Sequence, residues 1–426
     1  MKLFPHQIQA LKATENLNKV AYYLDMGLGK TFVGAEKMKQ LGKMVNLVVC
    51  QKSKVQDWID HFVINNYESH FQMIYDCTKW KKDDWVAFAK NPNEPCVMVI
   101  NYDLLFRRPI LKQLQDFTLM LDESSLIQNE KAKRSKFILN MNPSNVILLS
   151  GSPVGGKYEN LYSQIHLLGW NISRSTYNKQ YINWKKINIG GFPVKIVDKE
   201  NPYKNVDRLK QKMREHGAIF MKTEECFDLP EQNFITVKCP TSKEYRKFKK
   251  DSIITVDDVE LIGDTTLTKM MYSRMLCGQY SKDKLEAFKD LVESTNDRLI
   301  VFYNFKEEVK RLIHIANELE RPWAIISGDT KKLAAYENYD DSITFVQYQA
   351  GSMGLNLQKA NKIIYFTPTQ SCEQWMQSLK RVHRIGQERP CFYYQMICEN
   401  SIEEQIYEAL KKGVDFTEKL FIHEVN

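Results

Sequence analysis

The sequence predicts an α/β protein built from two parallel-sheet lobes. Short β-branched runs alternate with helical periods, the alternation occurs twice, over residues roughly 20–150 and 298–400, and each run is apolar almost throughout. Strands covered on both faces read as such continuous runs, whereas half-solvated antiparallel strands alternate polar and apolar. The length of 426 residues fits the same picture, at roughly 100–200 residues per domain.

In order along the first half, "NLVVC", "CVMVINY", "FTLMLDES" and "NVILLSGSP" are the strand candidates. In the second half "RLIVFYNF", "WAIISG", "SITFVQYQ", "KIIYFTP" and "FYYQMI" play the same part. Between them a helix is predicted over residues 306–320, where Val309, Leu312, Ile313, Ala316 and Leu319 form one apolar face. Near the end Ser401, with Glu404 three residues on, has capping-box spacing and opens another helix. The middle, about 155–280, has few strand-like runs and reads as mainly helical and loop material. The expected division is therefore 1–228, with a helical insertion after about 155, and 229–426, with an insertion at about 240–290 and a closing helix.

Bulk properties exclude several classes. No apolar run approaches the ~18 residues of a membrane span, and "MKLFPHQIQALKAT" lacks a signal-peptide core. Nine cysteines occur without a CxxC pair, so a structural zinc site is not expected and the thiols are expected to be reduced. A net charge of +8, from 60 Lys+Arg against 52 Asp+Glu, is compatible with a polyanionic partner without requiring one.

Three segments carry chemistry. In "YYLDMGLGKTFVGAEKM", residues 25–31 follow an apolar run and precede a helical period. Glycines let backbone N–H groups face a phosphate at a helix N-terminus. Lys30 would then reach the β/γ-phosphates and the Thr31 hydroxyl would ligate Mg²⁺. The strict pattern requires glycine where Leu24 stands, so a plain turn with a helix cap remains the competing reading. In "FTLMLDESSLIQNE" a strand ends in Asp122 and Glu123. There Asp122 would hold Mg²⁺ partly through water and Glu123 would orient and deprotonate the attacking water, against the alternative of a solvated turn. In "QSLKRVHRIGQ" Arg381 and Arg384 are spaced i, i+3, as on one face of a helix. They are either a solvated basic face or arginine fingers acting on the γ-phosphate from the other lobe.

With these residues in place the chain resembles a minimal Swi/Snf-type ATPase, a branch of the superfamily 2 helicases and DNA translocases. The resemblance runs in one order over nearly the whole length: "FPHQIQAL", "DMGLGKT", "LVVCQKSKVQDWIDHF", "VMVINYDLL", "LDESSLIQN", "ILLSGSPVGG", then "LIVFYNF", "ISGDT", "YQAGSMGLNL", "QWMQSLKRVHRIGQ" and "SIEEQIYEALKKG". It implies two RecA-like lobes in tandem with helical insertions. It implies an ATP site formed by Gln7 (for adenine), Asp25, Met26, Gly27, Leu28, Gly29, Lys30, Thr31 and Gly354, with ATP and Mg²⁺ as cofactors. It also implies contacts to nucleic acid from Ser53, Lys54, Tyr102, Thr330, Gly351 and Ser352. The departures are Ser125 in place of the box histidine, Met221 and Lys222 in place of paired arginines at the crossing, and no matching arginine after "ISGDT".

The expected function is an ATP-driven motor on nucleic acid, above all duplex DNA. A strand-separating helicase is the alternative, with "INIGGFPVKIV" able to form a wedge hairpin. A non-catalytic nucleic-acid clamp is the third reading, favoured only by Ser125. Trp375 offers base stacking or, more simply, core packing. The chain is expected to be a cytoplasmic monomer of bacterial or phage setting, targeted by a protein partner or by DNA structure.

Overall fold

The computed structural model describes residues 3–81, 83–85, 88, 94–151, 157–189, 192–198, 200–328, 330–350, 356–413 and 415. The chain divides into two compact units, Met1–Cys226 and Phe227–Asn426.

The first unit contains strands β1 (Lys19–Leu24), β2 (Val45–Cys50), β3 (Met73–Asp76), β4 (Cys96–Asn101), β5 (Phe117–Asp122), β6 (Asn145–Ser150), β7 (Trp184–Ile189), β8 (Phe192–Val197) and β9 (Ala218–Met221). Seven of them form a sheet in the order β3-β4-β2-β5-β6-β1-β9, with every neighbouring pair parallel. The central strands β2, β4 and β6 are buried at every position, as their unbroken apolar sequences require. Helices α1 (Pro5–Ala13), α2 (Lys30–Leu41) and α3 (Val55–Ile64) belong to the same unit. On α2, Val33, Ala35 and Met38 are buried. Lys37 is buried on it too, its ammonium donating to the Thr14 carbonyl at 2.6 Å and tying α2 to the end of α1.

The second unit contains β10 (Gln232–Cys239), β11 (Ile253–Val256), β12 (Val259–Ile262), β13 (Leu299–Tyr303), β14 (Trp323–Ile326), β15 (Lys331–Lys332), β16 (Ile343–Gln347), β17 (Lys362–Tyr365) and β18 (Cys391–Cys398). Its seven-stranded sheet runs β10-β18-β17-β13-β16-β14-β15, parallel except for the terminal β14–β15 pair. The architecture is thus two parallel-sheet lobes, as the apolar runs predict.

The middle of the chain holds more strand than its sequence suggests. Besides helices it supplies β9 to the edge of the first sheet, β10 to the edge of the second, and two hairpins, β7–β8 and β11–β12. These strands face core on one side at most. β10, for example, exposes Phe234 and Ile235 and mixes polar residues into its sequence, while β9, though apolar throughout, is only four residues long.

Candidate active site

In the first sheet β1, β6 and β5 are neighbours and parallel, so their C-terminal ends share one edge. In open α/β sheets that edge is where ligands sit. β1 ends at the fully buried Leu24, which still pairs with Met221. The loop over residues 25–29 then turns into α2 through Gly27 (φ 92°) and Gly29 (φ 74°). Both conformations lie in the left-handed region, so the glycines the turn requires are at 27 and 29, and position 24 remains strand. This explains why Leu24 is tolerated where the strict motif has glycine.

The loop is fastened from two sides. Asp25 accepts from the backbone N–H and hydroxyl of the buried Thr223 at 3.2 and 3.3 Å. Gln7 donates to the Leu28 carbonyl at 3.1 Å, and His6 contacts that oxygen at 2.9 Å. A Cβ at Gly29 would lie 2.2 Å from the Gln7 amide nitrogen, so α1 and the loop fit only with glycine there. Lys30 Nζ donates to the carbonyls of Leu24 (2.9 Å) and Asp25 (3.3 Å), across the edge where β6 ends at Ser150 and Gly151.

Two strands away, β5 delivers Asp122 to the same edge. Its carboxylate accepts from the indole N–H of Trp58 at 2.9 Å, and its carbonyl accepts from the Tyr102 hydroxyl at 2.9 Å. Burial pushes the Asp122 pKa up, while the Trp58 donor and the positive charges of Lys30 and Lys54 work against that rise. Glu123 adopts φ 52°, a left-handed conformation uncommon for a glutamate. The Ser150 hydroxyl approaches its carboxylate at 3.5 Å. Ser124 donates to the buried Gln164 at 2.8 Å, which also receives the Tyr23 hydroxyl at 2.9 Å. Ser125, at the box-histidine position, is buried at the start of a short turn of 3₁₀ helix, Ser124–Ile127.

Lys30, Thr31, Asp122 and Glu123 therefore converge on one sheet edge. The donor set for a cation there, the Thr31 hydroxyl and the Asp122 carboxylate, is all oxygen and suits a hard ion such as Mg²⁺. Met26 and Leu28 complete the loop, Leu28 being fully buried.

Other expected residues fall differently. Tyr102 is only 2% exposed, and its hydroxyl is committed to Asp122. It supports the acidic strand end and presents no surface to nucleic acid. Ser53 is exposed in the short 3₁₀ turn Lys52–Lys54, and Lys54 pairs with Asp57 at 2.7 Å. Trp58, on α3 just beyond that turn, is a buried partner of Asp122 that spacing alone does not reveal. Gln164, Thr223 and His6 were likewise invisible to motif reading, because they act through hydrogen bonds made across the fold.

In the second unit, the helix carrying Trp375 runs only Cys372–Leu379, so Arg381 and Arg384 do not share a helix face. The chain beyond it is held in turns by Gln387, whose amide donates to the carbonyls of Ala360 (2.8 Å), Gln358 (3.1 Å) and Val382 (3.3 Å). These bonds replace the helical ladder. Arg381 is 1% exposed, whereas Arg384 is half-buried, and burial lowers its pKa. Trp375 packs between Tyr365 (4.4 Å) and Tyr407 (5.6 Å) and is core. The Thr330 carbonyl accepts from the Ser327 N–H at 2.7 Å. Gly351, Ser352 and Gly354 lie outside the described residues.

The SNF2-related domain matches residues 23–284 and the Helicase conserved C-terminal domain matches 283–386. The chain belongs to the SNF2-related family. It is a helicase-type ATPase that depends on nucleic acid. The SNF2-related match runs past the structural division at Cys226 to include β10 and the helices after it.

Among relatives, an uncharacterized ATP-dependent helicase of Bacillus subtilis, YqhH, is 22% identical over 98% of this chain and 79% of its own length. A putative ATP-dependent helicase/translocase of the same organism, YwqA, is 24% identical over 90% of this chain and 44% of its own. A mouse SWI/SNF-related chromatin regulator is 23% identical over 90% of this chain and 40% of its own, so the chain spans well under half of the latter two. A solved SWI2/SNF2 ATPase core of Sulfolobus solfataricus in complex with dsDNA is 20% identical, covering 99% of this chain and 92% of that one at a TM-score of 0.44. Among the described residues no helix is long and apolar enough to cross a membrane.

Proposed function

We propose that this family member is a double-stranded DNA translocase that uses Mg·ATP. The observation carrying the reading is the convergence of Lys30, Asp122 and Glu123 on one sheet edge, with α3 running from the Lys52–Lys54 turn to the Trp58–Asp122 hydrogen bond. Mg²⁺ would be held by Thr31 and Asp122 and would screen the phosphate charge. Lys30 exchanges its two loop carbonyls for phosphate oxygens and Glu123 takes the proton of the attacking water, while Gln7, expected to read adenine, is buried with its amide bonded to the Phe4 N–H and the Leu28 carbonyl and so braces the loop instead. Arg384 serves as the arginine finger, with Arg381 buried beside it to fix the turn.

Ser53, Lys54 and Thr330 are the proposed backbone contacts, which read no sequence and weaken with salt. Resemblance to Swi/Snf motors supports duplex over single strands, and the intact hydrolytic set argues against a clamp. A triplex-displacement assay tests this. The protein with ATP should strip a third strand from duplex DNA without separating the duplex, and Lys30→Ala should not. Separation of the two duplex strands, or no displacement by the wild-type protein, contradicts the proposal.

A further inference from the structure

The β7–β8 hairpin has no part in the nucleotide site and is a two-stranded sheet of its own. Its foot is firmly mounted. Ile182 bridges to Tyr203, the Asp198 N–H donates to the Asn183 carbonyl at 2.9 Å, and the Tyr203 hydroxyl donates to Glu159 at 2.7 Å, next to buried Tyr177 and Tyr181. A lone hairpin is marginal in water, so this mount holds its shape.

Beyond the foot both faces meet solvent. Registered cross-strand partners share a face, which puts Trp184, Lys186 and Lys195 on one side and Lys185, Val194 and Phe192 on the other. All six are exposed, Phe192 by 74%. From Trp184 to Val197 the chain has three lysines and no acid, and Asp198 and Glu200 stand only at the foot. Lys186 and Lys195 are directly opposed, an arrangement that costs stability until an anion neutralises it. Among the described residues no ion pair engages any of the three lysines.

We propose that this hairpin is a second nucleic-acid contact. Lys186 and Lys195 take backbone phosphates and Trp184 lies against the sugar between them, with Lys185 adding charge from the opposite face. The proposal rests on the nucleic-acid motor reading and extends it beyond the residues of the two lobes. Charge decides the partner: an unpaired, acid-free lysine set beside an exposed aromatic ring suits a polyanion better than a protein surface.

The test is duplex binding by the full chain over a salt series, wild type against a Lys185→Gln/Lys186→Gln/Lys195→Gln variant. Each lost phosphate contact should flatten the log–log salt slope by ~0.9, so a drop of about 2–3 is expected, with affinity weakened roughly tenfold or more at moderate salt. Trp184→Ala should weaken binding with no change of slope, since it removes contact area and no charge. ATP hydrolysis without nucleic acid should stay at the wild-type level in both variants, which reports an intact fold. Unchanged affinity and slope in the triple variant overturn the proposal and leave the patch to a protein partner. Failure of the motor reading shows separately, as wild-type protein that neither binds duplex nor raises its turnover with it, and that result removes both.

Discussion

At Asp122, burial and hydrogen bonding pull in opposite directions. Desolvation raises the carboxyl pKa while the Trp58 N–H stabilises the carboxylate that must meet a cation. Trp58→Phe keeps the ring and removes the donor, so the Asp122 pKa rises further and protonation sets in at higher pH. The acid limb of the turnover profile should move up in pH, and more Mg²⁺ should be needed, with activity at neutral pH down by about 10- to 100-fold. A ring that merely filled space would leave the limb where it is. Lys30→Ala should abolish turnover with an unchanged unfolding midpoint, since its ammonium sits on exchangeable loop carbonyls. Arg384→Ala should cost roughly 10³-fold in rate with little loss of ATP binding, measured by single-turnover kinetics beside nucleotide titration.

Among the elements, the closing helix Ile402–Lys411 depends on a charge pair. Ser401 caps it by accepting from the Glu403 N–H at 3.1 Å, and the Glu403 side chain turns inward to Lys284 at 2.6 and 2.7 Å and to the Cys398 N–H at 2.9 Å. The helix start was legible from Ser401, but the spacing pointed to Glu404, because a pattern cannot tell which acid faces the core. Lys284 is fully buried and Glu403 is 1% exposed, so Glu403→Gln strands an ammonium in the interior. It should destabilise the second unit by about 3–5 kcal/mol in urea unfolding, and replacing both residues with apolar ones should recover most of that. Central strands such as β2, β6 and β13 were readable as unbroken apolar runs. β7–β8 was anticipated as a hairpin from "INIGGFPVKIV", whereas β9, β10 and the β11–β12 hairpin were not, β9 being only four residues long and the others mixing polar residues into half-exposed strands. The phosphate loop was readable because backbone geometry demands Gly27 and Gly29. Arg381 and Arg384 were misplaced on a helix because Gln387, through side-chain bonds to three carbonyls, pins that stretch as turns.

At the scale of the whole molecule, each unit supplies its own sheet and core, and of the residues proposed for hydrolysis Lys30, Asp122 and Glu123 belong to the first unit and Arg384 to the second. The net charge of +8 and the lysines of the Lys52–Lys54 turn and the β7–β8 hairpin favour a polyanion as the partner that stimulates turnover. The most direct test is steady-state ATP hydrolysis by the full chain alone and with duplex DNA, single-stranded DNA or duplex RNA, each at two salt concentrations. Strong stimulation by duplex DNA that falls as salt rises is the predicted result, while stimulation by single strands or RNA alone, or by none of the three, contradicts the account.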